Sequence, residues 1–176
     1  MSLKSSNARY GSVAITIHWL TAALILALFA TGLLAAGQAD AGAKLALVRF
    51  HVPLGTAVLV LTLLRIVWWW VADRHPDLPA DQPRWQKFAA RAVHVMLYLV
   101  ILLLAASGIA TLVLSGALPA IIAGTTLPDF ETVLPRLVHG IASRLLLGLL
   151  ALHIGAALYH QFIRRDHLLA RMGLGA

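Results

Sequence analysis

The chain reads as an all-α membrane protein, a four-helix transmembrane bundle, and three observations carry that reading. Of its 176 residues, 60% are hydrophobic and only 12% are charged, whereas soluble domains are about half apolar and a quarter charged. The mean hydropathy, +0.85, is more than one small core can hide. The apolar residues also gather in four stretches, near residues 13–36, 45–71, 88–114 and 134–163. Each exceeds the roughly 20 residues that a helix needs to cross a bilayer. A single integral domain, 1–176, accounts for the length. The chain has no cysteine, which excludes disulfides and thiolate-held clusters. Its net charge of +7 does not indicate nucleic acid, because membrane proteins carry basic residues for topological reasons.

The elements follow in order. Residues 1–11 are polar and contain Lys4 and Arg9. They are not expected to open a cleavable signal, since the apolar run that follows is too long and only Ala35-Ala36-Gly37 approximates a cleavage site. Between the second and third spans, Pro76, Pro79 and Pro83 predict an extended surface loop. Between the third and fourth, Gly116, Pro119, Gly124 and Pro128 break the helix, and the apolar segment 118–123 is expected to dip into the membrane interface. No internal repeat or low-complexity tract is evident.

Counting Lys and Arg sets the orientation. With the N-terminus inside, the inner segments hold Lys4, Arg9, Arg74, Arg84, Lys87, Arg91, Arg164, Arg165 and Arg171, against Lys44, Arg49 and Arg136 outside. This positive-inside bias puts both termini in the cytoplasm. Trp68, Trp69, Trp70 and Trp85 cluster where interfacial anchors belong.

Histidine carries the functional signal. His75 and His167 fall in polar segments and read as solvated. His18, His51, His94, His139, His153 and His160 all fall inside the apolar stretches, where an ionisable side chain is costly and usually functional. One such residue would be unremarkable as an interhelical hydrogen bond. Six are too many for that account. His139 and His153 are fourteen residues apart, about 21 Å of helical rise and within roughly 40° of one face. That face offers an imidazole at two depths, which suits two stacked haems, each gripped from opposing helices.

Small residues accompany them. Gly55 follows His51 by four positions, Gly32 follows His18 by fourteen, and Gly140, Gly148 and Gly155 punctuate the fourth span. Helix packing alone would explain glycines, but beside histidines they suit a flat cofactor. Arg65, fourteen residues beyond His51, is a candidate partner for a haem propionate. Arg144, one turn inside His139, is harder to place, and snorkelling is the plain alternative for both arginines. Met96 could offer a thioether to iron, but core packing is the favoured reading.

His18-Trp19 in the first span and Phe50-His51-Val52-Pro53-Leu54-Gly55 opening the second resemble the bacterial cytochrome b561 family. So do His94-Val95-Met96-Leu97-Tyr98-Leu99 in the third span and Leu152-His153 with His160 in the fourth. The resemblance covers essentially the whole chain. It implies a four-helix cytochrome of the bacterial inner membrane that carries two non-covalent b-type haems and exchanges electrons with the ubiquinone pool. Carried over, it gives His18 with His153 for the inner haem and His51 with His139 for the outer. His94 competes with His18, because it has the same fourteen-residue register to Gly108 that His18 has to Gly32. His160 could meet an inner propionate or a quinone carbonyl.

Bis-histidine ligation leaves iron no open position, which favours electron transfer over oxygen activation. The resemblance also raises one oxidoreductase chemistry, oxidation of superoxide at the outer face with the electron passed to ubiquinone. Lys44, Arg49, Arg136 and Arg144 would supply a positive funnel there. Arg9, Ser12, Trp19, His94 and His160 are inner-side quinone candidates. Two alternatives remain: a membrane anchor for a soluble dehydrogenase, and a histidine-lined metal carrier. The carrier is disfavoured, since no Asp or Glu occupies the span centres. A homodimer is compatible with the sequence, though nothing in it requires one.

Overall fold

The computed structural model describes residues 2–77 and 82–174, so Pro79 of the expected extended loop lies outside the described residues. Four helices are long and apolar enough to cross a membrane. They are α1 (Ser12–Gly37), α2 (Ala41–Val71), α3 (Arg84–Leu114) and, after the short α4 (Ala117–Ala123), α5 (Leu134–Leu158). The last continues through a π-helical turn, Tyr159–Arg164, so its candidate span runs to Arg164. No strand occurs among the described residues.

Capping explains where the helices depart from the apolar stretches. The Asp40 carboxylate accepts a 2.7 Å hydrogen bond from the Ala43 N–H and starts α2 four residues before the apolar run. Pro83 precedes α3, which likewise begins on charged residues. Pro53 lies inside α2, two residues after His51, and removes one backbone donor there. Gly116 and Gly124, both left-handed, bracket α4. Its Ala117 and Ile121 are buried while Leu118 and Ile122 face outward, the arrangement expected of an interfacial segment.

Helix α1 packs on α2 and α3 on α5, and the two pairs meet through Ile25, Val58, Val100, Ala142 and Leu146. Leu33, Phe50, Val113 and Phe162 are exposed. A soluble bundle would bury such side chains; here lipid is the fitting solvent. Met96 corrects an expectation, for it lies on the exposed surface of α3 rather than in the core.

The polar segments close the end of the bundle where both termini lie. Arg171 donates to the carbonyls of Ala8 at 2.9 Å and Asp77 at 2.7 Å, and the Trp19 indole donates to Met172 O at 3.0 Å. Asp73, buried among them, is the keystone. Its Oδ1 accepts from the Ser5 and Arg74 N–H groups at 2.9 Å each. Its Oδ2 accepts from the Ser5 hydroxyl at 2.8 Å and the Trp68 indole at 3.1 Å. Burial alone would push the Asp73 carboxyl up, but these hydrogen bonds outweigh it and hold it below the usual carboxylate range. A depressed folded pKa supplies stability above the unfolded value and loses it as pH falls through the folded one. Asp73→Asn is therefore expected to cost about 1–2 kcal/mol at neutral pH, since solvent at the molecule's edge weakens the bonds. In thermal unfolding the gap between variant and wild type should narrow below about pH 4.

Candidate functional site

Two pairs of imidazoles face each other across the bundle. His51 on α2 and His139 on α5 have ring centroids 6.2 Å apart with planes inclined at 70°. His18 on α1 and His153 on α5 repeat that separation, 6.2 Å, at 62°. Two metal–nitrogen bonds of about 2 Å, each followed by about 1 Å from nitrogen to ring centre, span roughly 6 Å. Both pairs fit a metal held axially from opposite sides. His94 is nearer to His153, 5.1 Å between centroids, too short for the same arrangement, and it is exposed on α3.

Hydrogen bonds fix the tautomers of the first pair. The Thr31 hydroxyl donates its one proton to Ala27 O at 2.9 Å, so its contact with His51 Nδ1, 3.0 Å, is a bond donated by the imidazole. The Ser107 hydroxyl likewise donates to Leu104 O at 3.1 Å, and His139 Nδ1 donates to Ser107 Oγ and Leu104 O, both at 3.1 Å. Each ring thus carries its proton on Nδ1 and keeps a lone pair on Nε2, the form that binds a metal. A Cβ on Gly32 would stand 3.1 Å from His51 Cε1, and one on Gly108 would stand 3.4 Å from His139 Cε1. The two glycines make room for the rings.

The second pair is arranged differently. Arg65 Nη1 lies 3.0 Å from His18 Nδ1. A guanidinium can only donate, so here Nδ1 accepts. Nearby, Thr21 Oγ1, Thr62 Oγ1, Arg65 Nε and Trp69 Nε1 are all buried without a hydrogen-bond partner among the described residues. Thr62 and Trp69 lie one turn either side of Arg65 on α2, and Thr21 lies one turn beyond His18 on α1. Buried orphan donors are costly. Their clustering beside His18 fits a polar, acidic group such as a haem propionate, in the role expected of Arg65.

Thr31 and Ser107 were not legible as site residues, yet one regularity points to them. On α1, His18, Thr31 and Gly32 stand 76 positions before His94, Ser107 and Gly108 on α3 (18 to 94, 31 to 107, 32 to 108). On the partner helices, His51 and Arg65 stand 88 positions before His139 and His153 (51 to 139, 65 to 153). The halves share a spacing without a recognisable sequence repeat.

Other expected residues are placed elsewhere. His160 Nδ1 pairs with Asp166 Oδ2 beyond the π turn, at the end that carries the termini. His75 is not merely solvated, since it stacks on Trp69 at 3.8 Å. Gly148 and Gly155 face open space and cradle no side chain. Arg144 is exposed on α5, as a snorkelling residue would be. Among the described residues, no three His, Asp or Glu side chains converge as a metal cluster would require.

The profile described as prokaryotic cytochrome b561 matches residues 9–175. Cytochrome b561 homolog 1 of Escherichia coli (strain K12) is 30% identical over 173 residues, 93% of this chain and 96% of the homolog. Cytochrome b561 homolog 2 of the same organism is 28% identical over 184 aligned positions, 98% and 95% of the two chains. With four apolar helices and facing imidazoles at two levels, the conclusion is direct: this chain belongs to the prokaryotic cytochrome b561 family, multi-pass bacterial membrane cytochromes that use b-type haem for electron transfer.

Proposed function

We propose that the chain holds two b-type haems, one between His18 and His153 and one between His51 and His139, and acts as an oxidoreductase that exchanges electrons with the ubiquinone pool. The observation that carries this reading is the repeated separation, 6.2 Å in both pairs. The four imidazoles would hold the haems, which when bound would supply one-electron oxidation and reduction. The protein's part is orientation and electrostatics. Thr31, Ser107 and the Leu104 carbonyl hold two imidazoles in the binding tautomer. Arg65 and the orphan donors around it supply positive potential at the other level. The basic residues at the end bearing the termini support a cytoplasmic placement of that end.

The supporting groups have a measurable role. Thr31→Val and Ser107→Ala each remove a bond to a ligating ring and are expected to weaken haem retention about tenfold. Transfer of haem to apomyoglobin, followed by absorbance, measures it. An unchanged transfer rate would mean that these hydroxyls position nothing.

Quinone exchange is tested with dithionite-reduced protein in nanodiscs, mixed anaerobically with ubiquinone. The reduced α-band should decay in proportion to added quinone; a persistent band contradicts the proposal. Among the quinone candidates, the Trp19 indole N–H and His160 Nδ1 already have partners, so Ser12, Arg9 and the remaining edges of His94 and His160 are the groups to vary.

The narrower reading, superoxide oxidation at the far end, rests on Lys44, Arg49, Arg136 and Arg144. Arg136 is paired with Glu131 at 3.2 Å, so the free positive charge is smaller than the count of side chains; Arg49 keeps its charge while donating to Ile122 O at 3.0 Å. If that end captures superoxide electrostatically, superoxide-driven quinone reduction slows with added salt. Indifference to salt argues against capture.

A further inference from the structure

A cavity of about 460 Å³ opens at the end bearing the termini, between the N-terminal segment and the close of α2. None of the four paired imidazoles lines it, although Trp69, one of the orphan donors beside His18, does; its remaining walls are of two kinds. One is cationic: Lys4 and Arg74 are both exposed, and neither side chain has an ion pair or hydrogen bond among the described residues. The other is apolar: Trp70 and Val71, the last residues of the spanning helix, are 85% and 79% exposed. The Asp73 carboxylate also lines the space, but four donors occupy it, from Ser5, Trp68 and Arg74. Those bonds tie Ser5, next to Lys4, to the backbone N–H of Arg74, so the chain segments that carry the two cations meet at one carboxylate. His75 closes the rim by stacking on Trp69, and burial together with the Arg65 charge lowers its pKa, so it adds little charge at neutral pH.

The position along the membrane normal selects the ligand. The cavity begins where α2 leaves the hydrocarbon, beside the tryptophans that mark headgroup depth. A ligand there meets unpaired cations on its polar side and bare apolar surface on its membrane side. We propose that this cavity binds an anionic phospholipid, its phosphate between Lys4 and Arg74 and its acyl chains against Trp70 and Val71. A phosphodiester at the headgroup level answers both walls, whereas a free phosphate would answer only one.

Haem-loaded protein in nanodiscs of mixed phosphatidylglycerol and phosphatidylcholine provides the test, with co-purifying lipid counted by native mass spectrometry after gentle delipidation. Wild type should retain phosphatidylglycerol over phosphatidylcholine. The double variant Lys4→Gln/Arg74→Gln should retain about tenfold less, given the attraction that each cation contributes at an anionic surface. The control Arg84→Gln/Arg91→Gln makes the same charge change on α3 and should behave as wild type. Haem absorbance per chain and the melting temperature report whether the variants fold. Equal retention of the two lipids, or undiminished retention in the Lys4/Arg74 variant, overturns the proposal. So does displacement of the lipid by millimolar inorganic phosphate, which would make the cavity a phosphate site with no use for its apolar wall.

Discussion

Replacing His51 by Ala is expected to lower haem content from two per chain to one. The substitution removes one of two facing rings, and His139 alone would grip the iron less firmly, so the group at that level is expected to be lost on purification. His139→Ala should give the same loss, and the double variant should lose no more than either single one, because the two residues act as one unit. Combining His51→Ala with His18→Ala should leave none. Pyridine haemochrome absorbance against protein concentration reads all four. Additive losses from His51→Ala and His139→Ala would show that the rings serve different groups.

The second large effect separates two histidines that the sequence leaves in competition. His18→Ala is expected to remove the haem at the level of His153, whereas His94→Ala keeps both. His94 Nδ1 donates to the Ala90 carbonyl of its own helix at 2.6 Å, which leaves Nε2 the lone pair, but its 5.1 Å approach to His153 is too short for two rings on opposite sides of one metal. His18 has the right separation but the opposite tautomer, since Arg65 donates to its Nδ1. For His18 to bind metal through Nε2, that nitrogen must give up its proton and Arg65 must find another acceptor. Arg65 Nε, already buried without a partner, sits where such an acceptor is needed. Retention of both haems in His18→Ala, with loss of one in His94→Ala, would reverse the assignment.

Much of this architecture was legible because lipid makes a simple demand. Spans must be apolar over most of their length, so their ends show where charges and prolines gather. The exceptions were α2 and α3, whose caps extend the helices into polar sequence. The histidines were legible for the same reason, each being expensive where it stands. Their partners were not. A Thr-Gly or Ser-Gly step is ordinary in a membrane helix, and only the fold shows that Thr31 faces His51 from α1 and Ser107 faces His139 from α3. Nor could periodicity foresee the cap at the termini, which joins Ser5 to Asp73 and Ala8 to Arg171. Those contacts are set by how four helices bring distant segments together.

Haem stoichiometry tests the central claim most directly. Purified, detergent-solubilised protein, assayed by pyridine haemochrome and by quantitative amino-acid analysis of the same sample, should give two b-type haems per chain. A ratio of one, or a colourless protein, would contradict it.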